Sequence, residues 1–254
     1  MKLIWEIENA DINKVKAFYE QYKNNSFVKH RIELNIQGNI QPFSRDIFWN
    51  EMILCLLTTQ QRSGPNSPLV KFYLNGINDI SYSKCLENKD VRSLVGDRIR
   101  KASLRMYNHI ADRVASNLQW LENGGWQEII DIFTSLPTDS FKVERLAAET
   151  IRKNLKGFGP KQSRNLLQSL GYTKFETPID SRITKWLNNF GFPVKISASA
   201  LSDVNYYNFL SDGFQALSKA SNIYPCLLDA AIFASYDGNW ENVFALETTM
   251  KDRI

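Results

Sequence analysis

The chain has 254 residues, 43% of them hydrophobic and 23% charged, the make-up of a globular protein long enough for a sizeable core. Its 31 basic and 27 acidic residues leave a net charge of +4, which permits a polyanionic partner without demanding one. Three widely spaced cysteines (Cys55, Cys85, Cys226) and two isolated histidines (His30, His109) suggest neither a disulfide framework nor a metal cluster, so no metal is expected. Glu6 stands where a signal peptide would be apolar, and the most apolar run, Met52 to Leu57, is far too short to span a bilayer. The expected location is therefore intracellular, in cytoplasm and nucleoid or in a nucleus, with no membrane partner.

From there the pattern reads helix after helix. Asp11 opens the first, with Ile12, Val15, Phe18 and Tyr19 on one stripe. Between Phe27 and Phe43 the pattern is less regular, and the run Val28, Arg31, Ile32, Glu33, Leu34 suggests a short strand. A mostly buried helix follows from about Ser44 to Gln60, carrying Ile47, Phe48, Met52, Leu54, Cys55 and Leu56. The turn-rich run Ser63-Gly64-Pro65-Asn66-Ser67-Pro68 ends it. Further helices are expected over Leu69–Leu74, Asp97–Leu121, Trp126–Ser135, Phe141–Lys153, Lys161–Leu170, Ser181–Phe190, Leu201–Ser218 and Tyr224–Tyr236. No repeat, low-complexity segment or clear linker divides the chain.

The chemistry concentrates in Leu155-Lys156-Gly157-Phe158-Gly159-Pro160-Lys161. A helix must end near Asn154, because Gly157 and Gly159 supply the backbone freedom of a tight turn. Pro160 suits the first position of a new helix, where its missing N–H costs nothing. The turn's free N–H groups, beside a positive helix terminus, suit a phosphate, and such contacts position nucleic acid without reading its sequence. Arg152, Lys153 and Lys156 adjoin the turn and are plausible phosphate contacts, whereas Arg98, Arg100, Lys101 and Arg105 read better as a solvated helix face.

These residues resemble the helix–hairpin–helix glycosylase superfamily, which contains endonuclease III and the 8-oxoguanine DNA glycosylases. The family hairpin is Leu-x-Gly-apolar-Gly-x-Lys, followed some twenty residues later by an aspartate after a short apolar stretch. Here Thr177-Pro178-Ile179-Asp180 follows, with Asp180 nineteen residues after Lys161. The resemblance implies that Lys161 is the nucleophile and Asp180 its carboxylate partner. The positive end of a helix dipole and partial burial both disfavour the ammonium form of such a lysine, as a nucleophilic amine requires. The plainer alternatives are that Lys161 contacts only phosphate and that Asp180 only caps the helix beginning at Ser181.

Leu56-Leu57-Thr58-Thr59-Gln60 resembles the endonuclease III segment whose glutamine fills the gap left by an extruded base, with Gln60 in that role, Gln61 as competitor, and an ordinary helix-terminal glutamine as the alternative. Leu228-Asp229-Ala230-Ala231-Ile232-Phe233, followed by Gly238, resembles the closing helix of archaeal-type 8-oxoguanine glycosylases. There an aromatic stacks on the flipped base and the aspartate lies near the pocket, which points to Phe233 and Asp229; an aromatic on a helical stripe is otherwise core. The chain departs from the family at Asp180-Ser181-Arg182, where Asp-Arg-His or Asp-Thr-His is common, and its first forty or so residues have no clear counterpart.

The resemblance implies an all-α protein of two helical subdomains flanking a DNA-binding cleft, one over about 45–172 ending in the helix–hairpin–helix, the other from about 1–44 plus 173–254. Lys161 and Asp180 then face each other across the cleft. The implied protein is a monomer that acts on double-stranded DNA containing a damaged base, 8-oxoguanine first and oxidised pyrimidines second, as a combined glycosylase and abasic-site lyase. Schiff-base chemistry requires no cofactor, although the family suggests a monovalent cation in the hairpin between backbone carbonyls and a phosphate. The competing expectations are a non-catalytic helix–hairpin–helix module that grips DNA for a partner, and a glycosylase for another damaged or modified base.

Overall fold

The computed structural model describes residues 4–59, 61, 64 and 66–237. Among these the chain forms helices and no strand. In chain order they are α1 (Asn9–Tyr22), α2 (Ser26–Arg31), α3 (Arg45–Leu57), α4 (Pro68–Gly76), α5 (Tyr82–Glu87), α6 (Val91–Lys101), α7 (Tyr107–Trp120), α8 (Trp126–Thr134), α9 (Phe141–Asn154), α10 (Pro160–Ser169), α11 (Ser181–Phe190), α12 (Val204–Ala220) and α13 (Pro225–Asp237). No described helix is long and apolar enough to cross a membrane.

Two sequence expectations fail. The suggested strand near Val28 is instead α2 running into a π-helical turn, Ile32–Ile36. Asn25 starts this segment by accepting the Phe27 N–H at 2.9 Å, and Arg31 and Asn35, one helical turn apart, both donate to the Gln168 carbonyl. In a strand the same two residues would stand roughly 13 Å apart along one face, too far to share a carbonyl. The long helix expected over Asp97–Leu121 is two helices, α6 and α7, separated at Ser103 and Met106, both with φ of 58°. Leu104, buried between these left-handed positions, gives the break its packing reason.

By packing, the described parts of Met1–Ile40, Leu136–Glu149 and Gly159–Asn239 form one unit, and those of Gln41–Ser135 and Thr150–Phe158 another. The first has a core of Val15, Ile183, Leu187, Tyr207, Leu210, Phe214, Leu228 and Ile232, drawn from α1, α11, α12 and α13. In the second, α3 buries Phe48, Trp49, Met52, Ile53, Leu56 and Leu57, apolar on most of its circumference, and Trp49 Nε1 donates to the Ile80 carbonyl at 2.9 Å. All three cysteines are buried, and none is in a disulfide.

This division differs from the expected boundary near residue 172. It places α10, with Lys161, in the same unit as Asp180, and the chain passes from one unit to the other between Phe158 and Gly159. The physical reason is Arg164, whose side chain is fully buried. Its Nε donates to Glu176 Oε2 at 2.7 Å and its Nη2 to Asn208 Oδ1 at 3.0 Å; its Nη1 reaches Glu149 Oε1 and the Pro160 carbonyl, each at 3.1 Å. Arg145 Nε and Gln215 Nε2 complete the shell of Glu176, each 2.8 Å from its Oε1. Losing one member of such a buried set strands the others without counter-charge, so Arg164→Met is expected to cost about 3–5 kcal/mol of unfolding free energy. Urea denaturation of the variant measures this, and a loss below about 1 kcal/mol would show that surrounding packing, not the ion pair, holds α10 in its unit.

Candidate active site

After α9 the chain turns through Leu155-Lys156-Gly157-Phe158-Gly159 into α10, with the Leu155 and Phe158 side chains buried as anchors. The two glycines do different work. Gly157 has φ of +87°, and a Cβ there would lie 2.5 Å from Arg113 Cδ and 2.7 Å from Leu56 Cδ2. Gly159 is extended (φ −85°, ψ −175°), a conformation open to any residue, and a Cβ there meets nothing within 4 Å. The expectation that the turn itself demands both glycines therefore holds for Gly157 alone. Gly159 lies on the exposed side of the turn, where its missing side chain leaves room for another molecule.

Asn117, fully buried on α7, brackets the turn: its Oδ1 accepts the Lys156 N–H at 2.7 Å and its Nδ2 donates to the Lys156 carbonyl at 3.1 Å. Lys156 itself is exposed. The Leu155 and Lys156 carbonyls are thus already engaged, by Phe158 N–H and Asn117, which leaves fewer oxygens for the cation the family suggests. Among the described residues no group of three or more His, Cys, Asp or Glu side chains could hold a metal ion. Gln60 and Gly238 lie outside the described residues. Gln61 ties α3 to the α6–α7 break, donating to the Leu57 carbonyl at 2.7 Å and accepting the Arg105 N–H at 2.9 Å.

Lys161 is half-buried in the first turn of α10, its Nζ 3.1 Å from Gln162 Oε1. Asp180 is the N-cap of α11, its Oδ1 accepting the N–H groups of Arg182 at 2.7 Å and Ile183 at 3.1 Å. The helix-cap alternative is therefore realised, and it also fixes the carboxylate's direction. The Tyr207 hydroxyl fixes the approach to the cap, accepting the Ile179 N–H at 2.7 Å and donating to the Thr177 carbonyl at 2.8 Å.

Asp229, on α13, ties these groups together. Gln168 Nε2 donates to its Oδ2 at 2.6 Å, and Gln168 stands two helical turns after Lys161 on one face of α10. Burial pushes the Asp229 carboxyl up to about 6, against the Arg31 guanidinium and the Gln168 hydrogen bond, which pull it down; Asp180 adds to the rise and Lys161 opposes it. Asp229 thus lies close enough to both Lys161 and Asp180 to sense their charges. One turn after Asp229, Phe233 stacks on Phe27, ring centroids 4.4 Å apart and 21° from parallel. The Arg182 guanidinium lies 4.7 Å from the Phe233 centroid and that of Arg31 lies 5.4 Å from Phe27.

The site residues found only in the structure are Phe27, Arg31, Gln168 and Arg182. Helical spacing of Lys161 and Gln168 was a usable signal for one of them; the strand assignment hid Arg31, and Phe27 meets Phe233 only through folding. Among the basic residues expected to be solvated, Arg98 pairs with Asp79 at 3.4 Å and Arg100 with Asp97 at 3.1 Å, both on the surface. A partly sheltered amine, two carboxyls held by different partners and a pair of flat aromatic faces form a set suited to nucleophilic attack with proton transfer beside a planar group.

No protein-family model matches the chain. A curated relative, the 8-oxoguanine DNA glycosylase/AP lyase of Sulfolobus acidocaldarius, is 26% identical over 193 residues, covering 74% of this chain and 81% of that protein. The 8-oxoguanine glycosylase/lyase of Methanocaldococcus jannaschii, solved with a 15mer DNA containing 8-oxoguanine, superposes with a TM-score of 0.68 at 18% identity, over 89% of this chain and 98% of that one. The 8-oxoguanine DNA glycosylase of Thermotoga maritima gives a TM-score of 0.65 at 15% identity, over 90% and 96% of the two chains. The all-α architecture is therefore the fold of these enzymes.

Two predictions follow from the site's geometry. Gly157→Ala forces a side chain into a left-handed position against Arg113 and Leu56 and is expected to cost roughly 1–3 kcal/mol, whereas Gly159→Ala stays within about 0.5 kcal/mol of the parent. Thermal melts compare them, and equal losses would contradict the different roles assigned here.

The second concerns pH. Burial also pushes fully buried Glu144 up to about 7, although it accepts the N–H groups of Lys174, Phe175 and Glu176 at 2.8–2.9 Å. Both Glu144 and Asp229 have folded-state values above the ordinary carboxylate range, so between pH of about 4 and 7 the folded protein holds more protons at these groups than the unfolded chain. Their contribution to stability is present in full at the acidic end of that window and is lost as pH rises through it. Asp229→Asn is expected to flatten the dependence of the urea midpoint on pH between 5 and 7 relative to the parent, and an unchanged slope would show that Asp229 titrates in the ordinary range.

Proposed function

We propose, from the fold this chain shares with the helix–hairpin–helix 8-oxoguanine DNA glycosylases, that it excises 8-oxoguanine from double-stranded DNA and then nicks the strand at the abasic site. The observation that carries this function is the placement of Lys161 and Asp180 in one packed unit, at the first turns of α10 and α11, within electrostatic reach of a shared neighbour, Asp229. The name of the Sulfolobus acidocaldarius relative and the 8-oxoguanine DNA bound by the Methanocaldococcus jannaschii enzyme support the same substrate.

In this mechanism the hairpin's exposed face, at Gly159 and Lys156, takes a DNA phosphate, and the damaged base is extruded because its glycosidic carbon is inaccessible in the stacked duplex. The base lies against Phe233, with Asp229 beside the pocket. The neutral Lys161 amine attacks C1′; a C1′–N bond forms, the glycosidic bond breaks, and its electron pair leaves with the base, which takes up a proton. Opening of the C1′–O4′ bond gives a protonated Schiff base. Loss of a C2′ proton then expels the 3′ phosphate and breaks the strand. Asp180, fixed by its cap geometry, stabilises positive charge developing on the sugar and helps to move protons. No step uses a metal or organic cofactor, and one chain acts alone.

The test is covalent capture. Borohydride reduces the Schiff base and freezes the chain onto an 8-oxoguanine duplex. Lys161→Ala is expected to abolish capture and strand cleavage while retaining DNA affinity. Asp180→Asn is expected to slow single-turnover base excision by about a hundredfold or more, the usual consequence of removing one aligned electrostatic group. Undiminished capture by Lys161→Ala would place the nucleophile elsewhere, and a loss below about fivefold in Asp180→Asn would leave Asp180 as a helix cap alone. A parent protein that binds duplex DNA without any capture would instead be a binding module.

A further inference from the structure

We propose that Arg182 is a positioning residue that transmits the state of the Phe27–Phe233 pair to Asp180; this rests on the excision and nicking activity above. Arg182 engages both oxygens of the carboxylate. Its N–H donates to Asp180 Oδ1 at 2.7 Å and its Nη1 to Oδ2 at 2.8 Å. The same guanidinium lies over Phe233, 4.7 Å from the ring centroid, and both members of the ion pair are sheltered, with 23% and 22% of their side chains exposed. A planar guanidinium can stack on a ring face and fork onto a carboxylate at once, whereas an ammonium offers no plane. Phe233 is therefore the platform on which the Asp180 counter-ion rests.

The platform cannot stay still when a base arrives. The Phe27 and Phe233 centroids are only 4.4 Å apart, in direct stacking contact, so a flat base can enter between them only if they part. Moving Phe233 carries the guanidinium with it, and the guanidinium carries Oδ2, while the two backbone N–H groups hold Oδ1 as a pivot. Filling of the aromatic slot and the direction of the Asp180 carboxylate are in this way one mechanical event. The sequence Asp180-Ser181-Arg182 makes it local: two residues of one helix start span from carboxylate to ring.

An abasic duplex isolates this role, because it has no base to stack on Phe233. Borohydride capture rates on abasic and on 8-oxoguanine duplexes are compared for the parent, Arg182→Met, Arg182→Lys, Phe233→Leu and the Arg182→Met/Phe233→Leu double variant, with binding measured separately. On abasic DNA, Arg182→Met is expected to slow capture about tenfold or more with Kd changed less than about threefold, a loss of alignment rather than of affinity. Arg182→Lys recovers only part of that loss. Phe233→Leu slows abasic capture at least about threefold on its own and adds nothing in the Arg182→Met background, the non-additivity of residues acting in series. Should Phe233→Leu melt below the assay temperature, Phe233→Met removes the ring face at similar volume. Full-speed abasic capture by the Phe233 variant, or losses that multiply in the double variant, overturns the relay while leaving the enzyme's function standing. A parent protein that captures neither duplex overturns the proposed function and the relay together.

Discussion

The buried Arg164–Glu176 ion pair holds the catalytic candidates in register. Arg164 reaches back along α10 to the Pro160 carbonyl, next to Lys161, and forward to Glu176, four residues before Asp180. Two side chains nineteen residues apart are thereby tied through one guanidinium. A salt bridge of this kind contributes little net stability over an apolar core, since both charges lose their water. What it supplies is direction: the planar fork of arginine admits few arrangements of its partners, and Asn208, Glu149 and the stacked Tyr207 ring, 4.8 Å away, fill the remaining ones. Glu144 serves the same end from the other side by taking three successive backbone N–H groups at 174–176. The segment leading to Asp180 is fixed by polar contacts at both edges, although it has no regular secondary structure of its own.

On that frame the hairpin and the site place opposite demands on the backbone. Gly157 is needed because the turn is tight and its inner side is filled by Arg113 and Leu56. Gly159 is on the outer side, in an ordinary conformation, where the lack of a side chain matters only to whatever approaches. Two glycines in a single motif thus separate into one that the fold requires and one that it does not. The same division runs through the charged residues. Arg164 and Arg145 are committed to Glu176 inside the protein, while Lys156 stays exposed, where a phosphate can release its counter-ions.

The carboxyls of Asp180 and Asp229 stand in different surroundings. Asp180 accepts hydrogen bonds from the backbone N–H groups of Arg182 and Ile183 and from the Arg182 guanidinium. Asp229 is sheltered and accepts the Gln168 amide; burial pushes its carboxyl up to about 6, against the Arg31 charge and that hydrogen bond. That contrast comes from depth and partners, since both side chains are chemically the same.

The sequence by itself determined the local elements and the motif. Helical periodicity placed most helices within a few residues, Ser181–Phe190 to its ends, because a stripe of apolar residues every three to four positions is a property of the chain alone. The Gly-x-Gly turn, Pro160 and the spacing to Asp180 singled out Lys161 and Asp180 through their resemblance to the family motif, which is likewise written in the chain alone. Periodicity misled where the constraint came from elsewhere. Arg31 and Asn35 are helical because the Gln168 and Thr173 carbonyls, more than 130 residues away, accept their donors, and the expected long helix breaks to bury Leu104. Only the tertiary structure decided that α10 packs in one unit with Asp180, that Phe27 meets Phe233, and that Asp229 senses the charge of Lys161. Burial, charge coupling and stacking depend on distance in space, and residues far apart in a chain carry no local mark of which distant partner they will meet.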